Sequence, residues 1–236
     1  MVTSSKAPGV LAAGRRVYAV GDVHGCADRL AAMHAAIAAD LQERPVGTAL
    51  LIHLGDYVDR GPDSAGVIAR LSAGQAVAGA RTINLMGNHE GMMLAALNDG
   101  DPGAAAHWLD NGGGASLRSW GVHGDFTNWR RQIPPAHLAF LGGLALSHVE
   151  GGYLFVHAGI RPGVVLERQS AHDLLWMREP FLSWTGEHGC VVVHGHTPVS
   201  APVVRPNRIG IDTGAVLGGP LTCVVLEADR LHFITQ

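Results

Sequence analysis

The chain has 236 residues, 47% hydrophobic and 16% charged, with a formal net charge of −3. That balance is too apolar for a disordered chain and offers no basic footprint for nucleic acid or an anionic membrane. Its 32 glycines follow no three-residue period and its longest apolar runs are strand-sized, which excludes collagen and a membrane-spanning helix and leaves one globular domain over residues 1–236.

From the N-terminus, Arg15 and Arg16 interrupt the only stretch that a secretory signal could use. Short apolar, β-branched runs then recur, each cut off by glycine or a polar side chain of the metal-binding type. They are 17–20 before Gly21-Asp22, 49–54 before Gly55-Asp56, 82–86 before Gly87-Asn88, 153–156 before His157, 190–193 before His194 and 208–211 before Asp212. Runs of this length read as buried strands. Segments of helical period lie between the first three: 27–39, with Leu30, Met33 and Ile37 on one face, and 63–72. That order implies a parallel sheet with right-handed crossovers, whose ligands bind beyond the carboxyl ends of the strands. Every polar cluster falls at such an end.

Residues 98–147 depart from this pattern. Asn111-Gly112-Gly113-Gly114, Pro134-Pro135 and the helix-like run 136–146 predict a helical cap insertion beside the site. Residues 221–234 predict a hairpin that closes a second sheet. Cys26, Cys190 and Cys223 are odd in number and widely spaced, with no Cys-x-x-Cys. They read as reduced structural thiols in a cytoplasmic protein.

Glycine makes up about 14% of the chain, twice the usual ~7%, and 14 histidines nearly match 17 lysines and arginines. Tight turns and metal binding are the chemistry this surplus points to. Alternation puts Asp22 and His24 on one side of an extended segment, and Asp56, Asn88, His89, His157 and His196 come from the other strand ends. Mixed carboxylate, amide and imidazole donors suit Mn²⁺, Fe or Zn²⁺ better than Ca²⁺, and they outnumber the needs of one ion.

In chain order the blocks are Gly21-Asp22-Val23-His24-Gly25, Gly55-Asp56-Tyr57-Val58-Asp59-Arg60-Gly61, Gly87-Asn88-His89-Glu90, His157-Ala158-Gly159 and Gly195-His196. Together they resemble the phosphoprotein phosphatase branch of the binuclear metallophosphoesterases. The stretches at 108–114, 176–179, 194–198 and 211–216 are similar to its small bacterial and phage members. The resemblance implies an α/β sandwich of two mixed β-sheets flanked by helices. It also implies one metal held by Asp22, His24 and Asp56, and another held by Asp56, Asn88, His157 and His196. Mn²⁺ is the first candidate, with Fe or Zn²⁺ as the others. A hydroxide bridging the metals would attack phosphorus in line. Arg60 and Arg178 map onto phosphate clamps, with Asn88 and His89 also at the phosphate. His89 maps onto the general acid and Asp59 onto its partner.

The implied activity is phosphomonoester hydrolysis on phosphoserine and phosphothreonine, with a phosphorylated protein or small phosphoester as partner. Two alternatives stand beside it: a diadenosine polyphosphate hydrolase, and a binding module that has lost catalysis. His194 reads as packed rather than ligating, Asp212 as structural support, and Cys26 as a structural thiol. The histidines outside the blocks (His34, His53, His107, His123, His137, His148, His172, His188 and His232) read as surface or cap residues.

Overall fold

The computed structural model describes residues 4–97, 102–123 and 129–236. The short β1 (Ser5–Lys6) precedes β2 (Arg15–Val20), which is joined through α1 (Ala27–Glu43) to β3 (Thr48–His53), and through α2 (Ser64–Ser72) to β4 (Ala80–Asn84). β2, β3 and β4 pair in parallel, as the strand-helix alternation requires. α3 (Asn88–Ala96) follows, then α4 (Pro102–Trp108), a π-helical turn (Leu109–Gly113), α5 (Gly114–Ser119) and α6 (Pro135–Gly142). Residues 98–101 and 124–128 of the predicted cap lie outside the described residues. The helix predicted over 136–146 ends early, and Ala145 instead bridges Leu85 beside β4.

The second sheet holds β5 (Ser147–Glu150), β6 (Tyr153–Val156), β7 (Val191–His194), β8 (Val203–Val204) and β9 (Arg208–Gly210), in the order β5-β6-β7-β9-β8. α7 (Ala171–Trp176) lies between β6 and β7 in the chain. The C-terminal hairpin forms as expected from β10 (Thr222–Glu227) and β11 (Arg230–Thr235), but in the other sheet. β10 pairs antiparallel with β2, matching Cys223 to Val20, which corrects the expectation that the hairpin closes the second sheet. Local pattern defines a hairpin, whereas its place depends on which open edge it can complete. Here all of β10 except Glu227 is buried.

Period-2 alternation divides the first sheet into two faces. Val17, Ala19, Leu50, Ile52, Val224 and Leu226 pack against Tyr153, Phe155, Val193 and Ile209 of the second sheet. Tyr18, Val20 and Leu51 face Leu30, Met33 and Ile37 of α1 and Val67 and Ile68 of α2. α7 covers the far side of the second sheet through Leu174, beside Leu154 and Val192. The result is the expected sandwich, with the ends of β2, β3, β4, β6, β7 and β9 as the framework of one site.

His34, His53 and His232 are buried, not surface or cap residues as their sequence context suggested. His53 Nδ1 lies 2.8 Å from Asn84 Oδ1, and its Nε2 lies 2.9 Å from His34 Nε2. An amide oxygen only accepts, so His53 carries its proton on Nδ1 and His34 donates from Nε2. Burial pulls His34 down to about 4; burial and the neighbouring His34 pull His53 to about 3. Below pH ~6.5 the unfolded chain binds protons that the folded chain refuses, so stability falls with pH until the folded values are reached. For the His53 ring alone the limiting slope is about 1.4 kcal/mol per pH unit. Thermal melts of His53→Gln should therefore lose less Tm than the parent between pH 6.5 and 4.5. Equal losses would show that the ring does not govern this acid limb.

Candidate metal centre

The loops that leave the strands are bent in ways only a few residue types tolerate. His24 (φ 43°), Asp56 (φ 52°), Asp59 (φ 73°), Arg60 (φ 68°) and His196 (φ 63°) all adopt the left-handed conformation without being glycine. Such residues cost roughly 1–3 kcal/mol each and persist where their surroundings over-determine them. Glu90 supplies much of that constraint around Asp56. Its fully buried carboxylate accepts hydrogen bonds from the backbone N–H of Asp56 (2.8 Å), Tyr57 (2.7 Å), Val58 (3.1 Å) and Gly87 (2.8 Å). Burial and the adjacent Asp56 push Glu90 up to about 8, against the pull of these donors. The sequence blocks give Glu90 no catalytic or ligand role. Its one signal was its place at the third position of the helix opened by Gly87, where a carboxylate reaches back to the cap.

Asp56 sits where two donor groups meet. Ligand atoms of His24, Asp56 and His89 lie within 4.8 Å of one another, and so do those of Asp56, His157 and His196. His24 Nε2 is 3.3 Å from Asp56 Oδ2, and His157 Nε2 is 3.4 Å from Asp56 Oδ1. Asn88 joins the second group, its Oδ1 2.9 Å from both His157 Nε2 and His196 Nδ1. Asp22 borders it, accepting from the His196 backbone N–H at 3.0 Å. The far nitrogens are already committed: Nδ1 of His24 meets the Val58 carbonyl at 2.8 Å, and Nδ1 of His157 meets that of Leu54 at 2.9 Å. This leaves each Nε2 as a lone pair towards Asp56, the second-bond arrangement typical of metal-binding histidines. Side chains at Gly87 and Gly195 would run into Asp56 Oδ1 and Asp22 Oδ1, so these glycines let the strand ends close on the carboxylates.

The electrostatics fit a cation. Burial, Asp212 and Asp56 push Asp22 well above the usual carboxylate range. Burial also raises Asp212, which stands at the end of β9 and accepts from the Gly214 N–H at 3.0 Å. Burial works against Asp56 too, yet the imidazoles of His157, His24 and His89 hold it well below its ordinary value. Burial and neighbouring His157 lower His196 to about 3, and its Nε2 is buried without a hydrogen-bond partner. Converging carboxylates, lone-pair imidazoles and an orphaned ring nitrogen are the donor set a divalent ion satisfies.

The remaining predicted residues surround this cluster. His89 Nδ1 is 2.7 Å from Asp59 Oδ2, and both side chains are essentially inaccessible. Trp108 Nε1 (2.9 Å) and Ser116 Oγ (2.7 Å) also donate to the Asp59 carboxylate. Arg60 is exposed and extends over the site, its Nη1 3.1 Å from His24 Nε2. Its backbone N–H donates to Gly112 O at 3.3 Å, and a Cβ on Gly112 would meet Arg60 Cγ at 2.9 Å. The glycine run at 112–114 thus seats the Arg60 loop. Arg178, exposed after α7, is close enough for its charge to depress His196. His194 is buried, with Nδ1 3.1 Å from Gly195 O and Nε2 towards Arg208, and belongs to neither donor group. Cys26, Cys190 and Cys223 are free thiols.

The calcineurin-like phosphoesterase model matches residues 15–229. The chain belongs to that family. Serine/threonine-protein phosphatase 1 of Salmonella typhimurium is 32% identical over 221 residues, 90% of this chain and 93% of its own. The symmetrical bis(5'-nucleosyl)-tetraphosphatase of Bordetella pertussis is 32% identical over 146 residues, 61% of this chain but 43% of its own. Among solved structures, a cold-active protein tyrosine phosphatase shares the fold with a TM-score of 0.62 at 18% identity, covering 96% of this chain and 81% of its own. The chain is therefore a metallophosphoesterase hydrolase, and no described helix is long and apolar enough to cross a membrane.

Proposed function

We propose that this phosphoesterase is a binuclear-metal phosphatase acting on phosphoserine and phosphothreonine in proteins. The observation that carries the reading is the buried Asp59–His89 pair beside the two donor groups that share Asp56. Asp22, His24 and Asp56 would hold one ion, and Asp56, Asn88, His157 and His196 the other, with Mn²⁺ as the working assignment. When bound, such ions supply Lewis-acid charge and a water activated for attack.

The protein's own part is binding, orientation and proton delivery. Arg60 and Arg178 grip phosphate oxygens as planar forks, and Asn88 and His89 border the same phosphate. Asp59 accepts from Nδ1–H and so orients His89; acting as the acid, the ring is the doubly protonated imidazolium, whose Nε2–H is the proton that goes to the departing serine or threonine oxygen. Trp108 and Ser116 tie Asp59 to α4 and α5, which favours residues 98–147 as a cap within a single domain. The full-length likeness to a serine/threonine phosphatase supports the substrate class, and three free thiols suit a cytoplasmic enzyme.

Dinucleotide tetraphosphates are the second reading. It is favoured by the Bordetella relative and by half-buried Trp176, whose ring stands 6.1 Å from that of His196. The intact donor set and Asp59–His89 pair argue against a non-catalytic binding module. A Mn²⁺-supplemented panel of phosphoserine, phosphothreonine and phosphotyrosine peptides, p-nitrophenyl phosphate and diadenosine tetraphosphate separates these readings. The proposal expects the highest kcat/KM on phosphoserine or phosphothreonine; a higher value for the dinucleotide, or no turnover at all, would replace it. On p-nitrophenyl phosphate, Arg60→Ala should lower kcat/KM about 10–100-fold, as loss of charged hydrogen bonds worth about 1.5–3 kcal/mol predicts. Unchanged kinetics would remove Arg60 from the phosphate.

A further inference from the structure

The residues that open β9 take no part in the chemistry above, yet they hold the loop that carries Arg178. Asn207 Nδ2 donates to the carbonyls of Trp184 at 2.9 Å and Gly186 at 2.8 Å. Arg208 Nη2 donates to Leu182 O at 3.1 Å, and the Leu182 N–H donates to the Arg178 carbonyl at 2.8 Å. The other arm of the guanidinium, Nη1, lies 3.4 Å from His194 Nε2. His194 Nδ1 is committed to Gly195 O, so Nε2 is the lone pair that receives the arginine. One buried cation therefore touches both the loop after Arg178 and the turn that presents His196.

The loop is also pinned by its aromatic residue. Phe181 is fully buried and packs edge-on to His194, with centroids 5.1 Å apart and planes at 78°. A Cβ at Gly159 would come within 2.5 Å of that ring, so the glycine of the His-x-Gly block makes the socket. Arg208 itself is 9% exposed, and its hydrogen-bond neighbours are a carbonyl and an imidazole rather than a carboxylate. An apolar side chain would fill the same space without the desolvation cost of a guanidinium. Its donors, not its volume, distinguish it there.

We propose that Arg208 is a positioning residue: through Leu182 and His194 it sets the separation of Arg178 from the His196 turn, and so the geometry in which phosphate is gripped. This rests on the reading of Arg178 as a phosphate ligand. Arg208→Met keeps the buried stem and removes the donors, while Arg208→Lys keeps a cation that can reach one partner.

The test combines amide hydrogen exchange over 179–186, metal content, and kcat/KM on p-nitrophenyl phosphate with Mn²⁺, in single variants and in the Arg178→Ala background. Arg208→Met should speed exchange in the loop, leave metal content unchanged and lower kcat/KM about tenfold to a hundredfold, mostly through KM. Arg208→Lys should recover part of that loss. Added to Arg178→Ala, the methionine should cost nothing further. Unchanged exchange, a loss of metal, or a second loss additive to that of Arg178→Ala would each overturn the positioning role. If Arg178→Ala alone leaves kinetics intact, the phosphate reading of Arg178 fails, while the exchange data still report whether Arg208 holds the loop.

Discussion

Asp56→Asn should abolish metal binding at both positions together, and phosphatase activity with it. The substitution is nearly isosteric, and asparagine tolerates the left-handed backbone that Asp56 adopts at φ 52°. Its carbonyl oxygen can still accept from the His89 N–H, now at 3.1 Å. What disappears is the charge common to both donor groups. Remaining in each group are imidazoles, with Asn88 and Asp22 at the border, too little anionic charge to hold two divalent ions. With the several kcal/mol of Lewis-acid stabilisation gone, kcat/KM on a phosphomonoester should fall by at least about 10³-fold. Metal analysis of the purified variant is the direct measurement. Two retained ions would refute the shared ligand.

His89→Asn should behave in the opposite way, keeping its metals while kcat falls about 10²–10⁴-fold, the range a positioned acid contributes. The loss should depend on the leaving group. An alkoxide from phosphoserine needs the proton far more than p-nitrophenolate does, so the phosphoserine peptide should suffer the larger drop. His89 also lies within ligand reach of His24 and Asp56, which makes a metal-binding role its physical competitor. If metal content falls in step with activity, and both substrates lose rate equally, that competitor is correct. The hydrogen bonds from Trp108 and Ser116 to Asp59 make the same pair sensitive from a distance.

The donors of the candidate centre were legible because each lies within five residues of a strand end, where hydrophobic run and polar stop are close in sequence. The same holds for the parallel order of β2, β3 and β4, which follows from strand-helix alternation. Glu90 was not legible as a structural tie, because three of its four backbone partners lie in the 56–58 loop, more than 30 residues away. Arg208 was hidden for a similar reason. In sequence it is one arginine in a strand, while its partners Leu182 and His194 belong to two other segments.

Side-chain chemistry and local spacing alone thus mark which groups are candidates to bind metal, and place them beyond the ends of strands. Long-range packing settles what local spacing leaves open. It seats the C-terminal hairpin beside β2, buries the His34–His53 pair, and moves His89 close enough to Asp56 to compete as a ligand. Strand edges and buried cavities accept partners by shape and by unsatisfied hydrogen bonds, properties that no window of neighbouring residues contains.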